Sequence, residues 1–371
     1  MRRGLMAWNT DELPPEILGE RLVRMRQAMA ANDIDALLIY TNFPRPSAVA
    51  FLTAFTPYWA DAVLYVPKTG EPLFSTALSK RVAKWINSVK PVGELVCTPN
   101  PGVEVAKRIA ADTGIKTVGI LEMDALPTYI YDDVEAGAPG VKLVEGGRAF
   151  AQARRLIDVS ERGLLAHAGT IASDALNAVD PATMRDAGAV VGAVEKAARL
   201  AGAEEAYIHI APDLAANASF ARLSGAAPLG QRFAIRASVA YKGIWVRRIR
   251  TFSTDAADAA LCAKADAWLE TTLLGLKPDT GLNAQFVSAA KAAGGPLESW
   301  LAESSIGSYP LEAVASSSAD SVTPDNSMLV VTVKLALGGA PWVGGAPVLV
   351  SSSGNALLAQ PTDAGAVSSA A

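Results

Sequence analysis

The residues with the most distinctive chemistry are a cluster of arginines in a chain whose net charge is −4. The stretch "YKGIWVRRIRTFS", residues 241–253, carries Arg247, Arg248 and Arg250, and "RFAIRASVA" just before it carries Arg236. Both stretches read as strands, and their proximity predicts a β-hairpin. A turn closing at Tyr241-Lys242 would set Arg236 directly opposite Arg247 on one side of the ribbon. Like charges so placed destabilise a sheet. A buried guanidinium without a partner costs several kcal/mol, so each arginine needs an acidic side chain, water or a bound anion. A planar guanidinium presents paired donors that match a carboxylate or phosphate. The cluster therefore predicts an anion-binding pocket or a salt-bridge network that fills the same space. A solvated strand face is the third reading.

Only two histidines are present. His167, in the helical stretch "LLAHAGT", reads as a surface or core-edge residue. His209, in "AYIHIAPD", alternates with Ile208 and Ile210 and could reach the arginine pocket as a general base, against the plainer reading of a hydrogen-bonded histidine. No Ser-His-Asp arrangement is legible. "ESSIGS" lacks the Gly-x-Ser-x-Gly of a nucleophile elbow, which leaves Ser304 and Ser305 on a loop or strand edge. Neither "GGPLESW" nor "LALGGAPWVGGAP" has the strand, Gly-rich loop and helix of a phosphate loop. Cys97 and Cys262 form no metal or redox spacing. Most of the seven tryptophans are expected in the core.

Two domains must hold these residues, since 371 residues exceed one typical core and 50% hydrophobic against 19% charged composition supports a large one. The acidic balance argues against a general nucleic-acid binder. "MRRGLMAWNTDELPP" has no apolar leader and no run of about 18 apolar residues follows, so no membrane partner is expected and a cytoplasmic location is. Residues 1–150 read as an α/β domain. It holds a helix over Glu16–Asn32, the buried strand "DALLIYT", the paired strands of "AVLYVPKTGEPLFST", a helix near Ser79–Ser88, and the strands "GELVCT" and "TVGILE". Residues 151–358 read as an α+β domain. It holds one long helix through "RRLIDVSERGLLAHAGTIASDALNAV", helices over Met184–Leu200 and Thr254–Leu276, and an antiparallel sheet that includes the arginine hairpin. A Ser- and Ala-rich tail over 359–371 is expected to be flexible.

In their order and spacing these pieces resemble the creatinase / aminopeptidase P / prolidase group, the pita-bread metallopeptidase fold. "ERLVRMRQAMAANDIDALLIYT…FLTAF" is similar to the start of its N-terminal domain, and "RRLIDVSERGLLAHAGTIASDAL" to the first helix of its catalytic domain. "YKGIWVRRIRTFS" resembles the hairpin Tyr-x-Gly-Tyr-x-x-Asp-x-x-Arg-Thr-Phe. The fold implied is an α/β creatinase-like N-terminal domain followed by an α+β pita-bread domain. The activity implied is a two-metal hydrolase with two aspartates, one histidine and two glutamates as ligands. The creatinase branch instead works without metal through a histidine.

This sequence departs from that pattern. The two aspartate positions match Arg236 and Arg247, the metal histidine matches Ser304, and the following His-Glu pair matches Leu311 and Glu312. The later glutamates match Lys334 and Gly345, and the creatinase-type histidine matches Phe220. Only Glu312 keeps its identity, so no metal and no other cofactor is expected. Arg236, Arg247 and Lys334 against Glu312 would leave an excess of positive charge that suits a small anionic ligand. Three functions follow. The first is a pseudo-hydrolase that binds such a ligand, or that acts as a subunit of a homodimer or of a heterodimer with a pita-bread paralogue. The second is a metal-independent hydrolase of a small C–N-bonded carboxylate, with Glu312 or His209 as acid/base. The third is a protein-interaction module. By the same resemblance, Trp59 would point toward a partner's site in a dimer.

Overall fold

The structure, a computed structural model, describes residues 9–42, 47–55, 60–89, 93–155, 157–223, 225–304 and 312–358, with the side chains of Ser47, Val89 and Glu312 outside that description. Trp59, Ser305, Leu311 and the expected tail lie outside the described residues. The chain divides into two compact units, the first ending at Ser160 and the second beginning at Glu161.

The first unit is built on a six-stranded sheet of order β4-β3-β2-β1-β5-β6, formed by Ala36–Thr41 (β1), Ala62–Pro67 (β2), Leu73–Thr76 (β3), Glu94–Cys97 (β4), Thr117–Leu121 (β5) and Lys142–Glu145 (β6). β1 runs parallel to β5 and antiparallel to β2. The near-continuous apolar run "ALLIYT" of β1 is what a strand covered on both faces requires. Its helices are Pro15–Ala30 (α1), Ser47–Thr53 (α2), Ala83–Val89 (α3), Pro101–Ala111 (α4), Thr128–Gly137 (α5) and Gly147–Arg154 (α6). α1 buries Leu18, Arg21, Met25, Ala28 and Met29, one face at helical spacing, and opens with proline, whose missing N–H costs nothing there. Two apolar clusters fill the two sides of the sheet, one around Met25, Leu37 and Phe74, the other around Leu38, Ile109 and Ile130.

The second unit carries Val159–Asn177 (α7), Ala187–Leu200 (α8), Ala256–Leu274 (α9) and Leu282–Ala290 (α10). Its strands are Glu205–Ala211 (β7), Arg232–Tyr241 (β8), Ile244–Ser253 (β9), Leu297–Ser304 (β10), Glu312–Ser316 (β11), Ser327–Leu337 (β12), Ala340–Val350 (β13) and Ala356–Leu357 (β14). They form one antiparallel sheet of order β11-β10-β12-β13-β9-β8-β7, with β14 paired to β13. The core lies between this sheet and α9 and α10, where Leu269, Phe286, Trp300, Val333 and Trp342 meet. Among the described residues no helix is long and apolar enough to cross a membrane.

Two expectations are corrected. The long helix expected through "RRLIDVSERG" is two, α6 and α7. Between them Asp158 is held by Arg21 Nε at 2.7 Å and Nη2 at 3.0 Å and by Arg24 Nη2 at 3.0 Å. A carboxylate tied to two guanidiniums of α1 fixes the chain where helical periodicity alone would continue. The arginine hairpin has a different register. Its turn is Lys242-Gly243, with φ of 48° and 77°, the left-handed pair that a two-residue hairpin turn demands and that glycine meets at no steric cost. Gly243 N–H donates to Glu204 Oε2 at 3.0 Å and holds the turn. Arg236 consequently faces Ile249, and Arg247 faces Ser238. The two arginines share a face as diagonal neighbours, which relieves the direct opposition of like charges.

Candidate functional site

The face of the second sheet turned away from α9 gathers the candidate residues. A row of cross-strand partners runs His209, Arg236, Ile249, Gly345, Thr332 and Leu301 over β7, β8, β9, β13, β12 and β10. Arg247 and Ser238 stand one alternation along from that row. Ile249 and Gly345 form the one cross-strand pair between β9 and β13, because β13 then passes to β14 along the same edge. Thr251 secures that sparse junction. Its hydroxyl donates to Val343 O at 2.8 Å and accepts from Val343 N–H at 3.0 Å.

Arg247 therefore sits where β9 leaves β13, and it is 6% exposed. Its Nη1 donates to Glu303 Oε2 and its Nε lies 3.4 Å from Ser238 Oγ. Glu303, also 6% exposed, stands near the end of β10, opposite Val330. β10 and β9 are separated by β12 and β13, about 14 Å for flat strands, so the pair closes across the face of the sheet. Glu303 is the negative charge that Arg247 requires, and sequence reasoning missed it. "LESWLAES" mixes polar and apolar residues too evenly to stand out as a strand, although its alternation puts Trp300 and Ala302 in the core and Leu301 and Glu303 on the other face.

Around Arg236 the setting is different. Its guanidinium lies over the Phe220 ring at 5.2 Å, a cation–π contact, and Phe220 packs with Leu214, Ala234, Ile249 and Val343. His209 is its cross-strand partner. Burial, then the guanidiniums of Arg236, Arg247 and Arg222, hold His209 below the usual histidine range, so its imidazole is neutral near pH 7. His167 lies elsewhere, its ring 4.2 Å from that of Tyr241. Lys334 is engaged by Glu298 at 2.9 Å with both side chains about one-third exposed. Glu312 opens β11 and pairs with Ser304, and its side chain lies outside the described residues.

A dinuclear metal centre needs several carboxylate and imidazole ligands converging at once. Arginine and lysine have no lone pair to donate, and Glu303 is committed to Arg247. The residues on this face do not fit such a centre, and among the described residues no group of three or more His, Cys, Asp or Glu is placed to hold an ion.

Comparison with known proteins places the scaffold. The sequence model of the Creatinase/Prolidase N-terminal domain matches residues 21–156. No curated protein matches the chain. The fold is similar to that of the Xaa-Pro dipeptidase from Bacillus anthracis, with a TM-score of 0.71 at 17% identity over 93% of this chain and 98% of that one. It is similar to the prolidase from Pyrococcus horikoshii OT3, with a TM-score of 0.71 at 15% identity over 93% and 99%. The X-Pro aminopeptidase from Thermotoga maritima MSB8 gives a TM-score of 0.67 at 15% identity over 92% and 98%. Residues 21–156 thus match a creatinase/prolidase N-terminal domain, and the chain as a whole has the two-domain pita-bread fold of the prolidases and aminopeptidase it resembles.

Proposed function

We propose that this protein is a creatinase/Xaa-Pro peptidase-like pseudo-hydrolase that binds a small anionic ligand at the Arg236–His209 corner of its pita-bread domain and works without a metal centre. The observation that carries the reading is the placement of Arg236, whose guanidinium lies over the Phe220 ring at 5.2 Å and whose cross-strand partner is His209, in the part of the fold where a two-metal hydrolase needs carboxylates. Arg247 is neutralised by Glu303 and acts as a structural lock. Arg236 and Arg222 supply charge to a carboxylate or phosphate, His209 a neutral hydrogen-bonding edge, and Phe220 an apolar wall. A metal-independent hydrolase on the same site is the second reading. It is favoured by the neutral state of His209, the form a general base needs.

Thermal denaturation with phosphate and with succinate, followed by calorimetric titration, tests the proposal. A ligand that binds only the folded state raises Tm in proportion to its saturation. At least one anion is expected to raise Tm, and Arg236→Gln is expected to remove the effect while the variant remains folded. Absence of any shift, or a shift unchanged in Arg236→Gln, overturns the proposal. So does Xaa-Pro dipeptide hydrolysis by protein supplied with manganese, cobalt or zinc.

A further inference from the structure

The opposite face of β9 holds a second cavity, of about 230 Å³, between α7 and α9. It is separate from the Arg236–His209 corner because successive strand residues point to opposite faces. Arg247 goes to one side, and Arg248 and Arg250 go to the other. Apolar surface from Leu176, Leu269, Ala263 and Ala267 lines much of the cavity.

Its polar lining is charge-balanced but incompletely bonded. Arg248 Nη2 donates to Glu270 Oε1. Arg250 pairs through Nε with Asp266 Oδ2 at 3.3 Å and through Nη1 with Asn177 Oδ1 at 3.3 Å. Two arginines thus face two carboxylates. Arg248 Nη1, however, is buried with no hydrogen-bond partner, and so is the hydroxyl of Ser173, a residue only 5% exposed. Buried donors of this kind are nearly always satisfied in folded proteins. Here both unsatisfied groups belong to residues lining the same cavity.

We propose that this cavity is a binding site for a small uncharged amide with a short apolar body. The amide carbonyl accepts from Arg248 Nη1 and the Ser173 hydroxyl, its NH₂ donates to the carboxylates of Asp266 or Glu270, and its alkyl end lies against Leu176 and Leu269. A neutral group suits the site because the four charges already cancel, and an added carboxylate would carry an uncompensated charge into a partly desolvated groove. The volume falls below the roughly 300–1,000 Å³ of pockets for drug-sized ligands, which sets the ligand at about six heavy atoms.

Ligand-observed NMR titration of the full-length protein with isobutyramide, and with isobutyrate as the matched anion, is the test at pH 7.5. Isobutyramide is expected to bind with a dissociation constant on the order of millimolar and more tightly than isobutyrate. Arg248→Lys keeps the charge facing Glu270 but removes the open Nη1, and is expected to weaken binding about fivefold. Ala267→Phe fills the cavity from an exposed position on α9 that tolerates the change, and is expected to abolish binding. No isobutyramide binding, binding equal to wild type in either variant, or tighter binding of isobutyrate each overturns the proposal.

Discussion

The two faces of β9 put the same side chain to opposite uses. On the face turned from α9, Arg247 is buried and closed off in a single pair with Glu303. On the α9 face, Arg248 and Arg250 meet Glu270 and Asp266 in an open groove, with partners 32% and 23% exposed. A buried pair depends wholly on its partner, because a lone charge there has no water to turn to. A partly exposed pair can exchange its carboxylate for solvent and contributes less. The difference sets the first arginine in a pair closed off from solvent and the others in pairs that line an accessible groove.

Glu303→Ala tests the closed pair directly. It strands a buried guanidinium and is expected to cost about 3–5 kcal/mol in urea denaturation. The double variant Arg247→Met, Glu303→Leu replaces the pair by apolar groups of similar size and is expected to recover most of that loss. A single variant that loses less than about 1 kcal/mol would remove Arg247 from the class of closed pairs.

Asp266 gives the next largest effect. Burial raises its carboxyl from 3.8 to about 6, with Arg250 and Arg248 opposing the shift. The folded state therefore holds this proton more tightly than the unfolded chain does. The penalty for ionising it is complete above about pH 6 and fades as pH falls toward 4. Relative to Asp266→Asn, the wild type is expected to gain stability between pH 7.5 and pH 4.5, by up to about 2 kcal/mol and by less in so far as water reaches the groove. Parallel thermal melts of the two proteins measure it, and a constant gap across that range would refute it. Glu270→Gln is expected to have the smallest effect, below about 1 kcal/mol and erased by salt. A larger loss would show that the two faces are not so different.

Much of the fold was legible because it rests on local pattern. "ALLIYT" is continuous in apolar residues because β1 is covered on both sides, and α1 shows its buried face at 18, 21, 25, 28 and 29. "YKGIWVRRIRTFS" and "RFAIRASVA" gave the hairpin of β8 and β9. Less legible were the short strand β6, whose "KLVE" is exposed at both ends, and β10, whose polar residues obscured Glu303. The candidate site was legible in its arginines and illegible in their partner. Glu303 is 56 residues from Arg247 in sequence, and no spacing rule connects two strands that do not pair and are joined through two helices.

The α/β and α+β halves, the hairpin and the metal-incompetent side chains of Arg236, Arg247 and Lys334 could be read from the sequence, because residue identity alone decides whether a side chain can hold a metal. Which charge meets which depends on the three-dimensional fold. A two-residue turn at Lys242-Gly243 sets the hairpin register. The handover of β13 from β9 to β14 marks where Arg247 stands. The closure of β10 across the sheet face brings Glu303 to it. Ion pairing acts over a few ångströms of space, and distance along the chain carries no information about it.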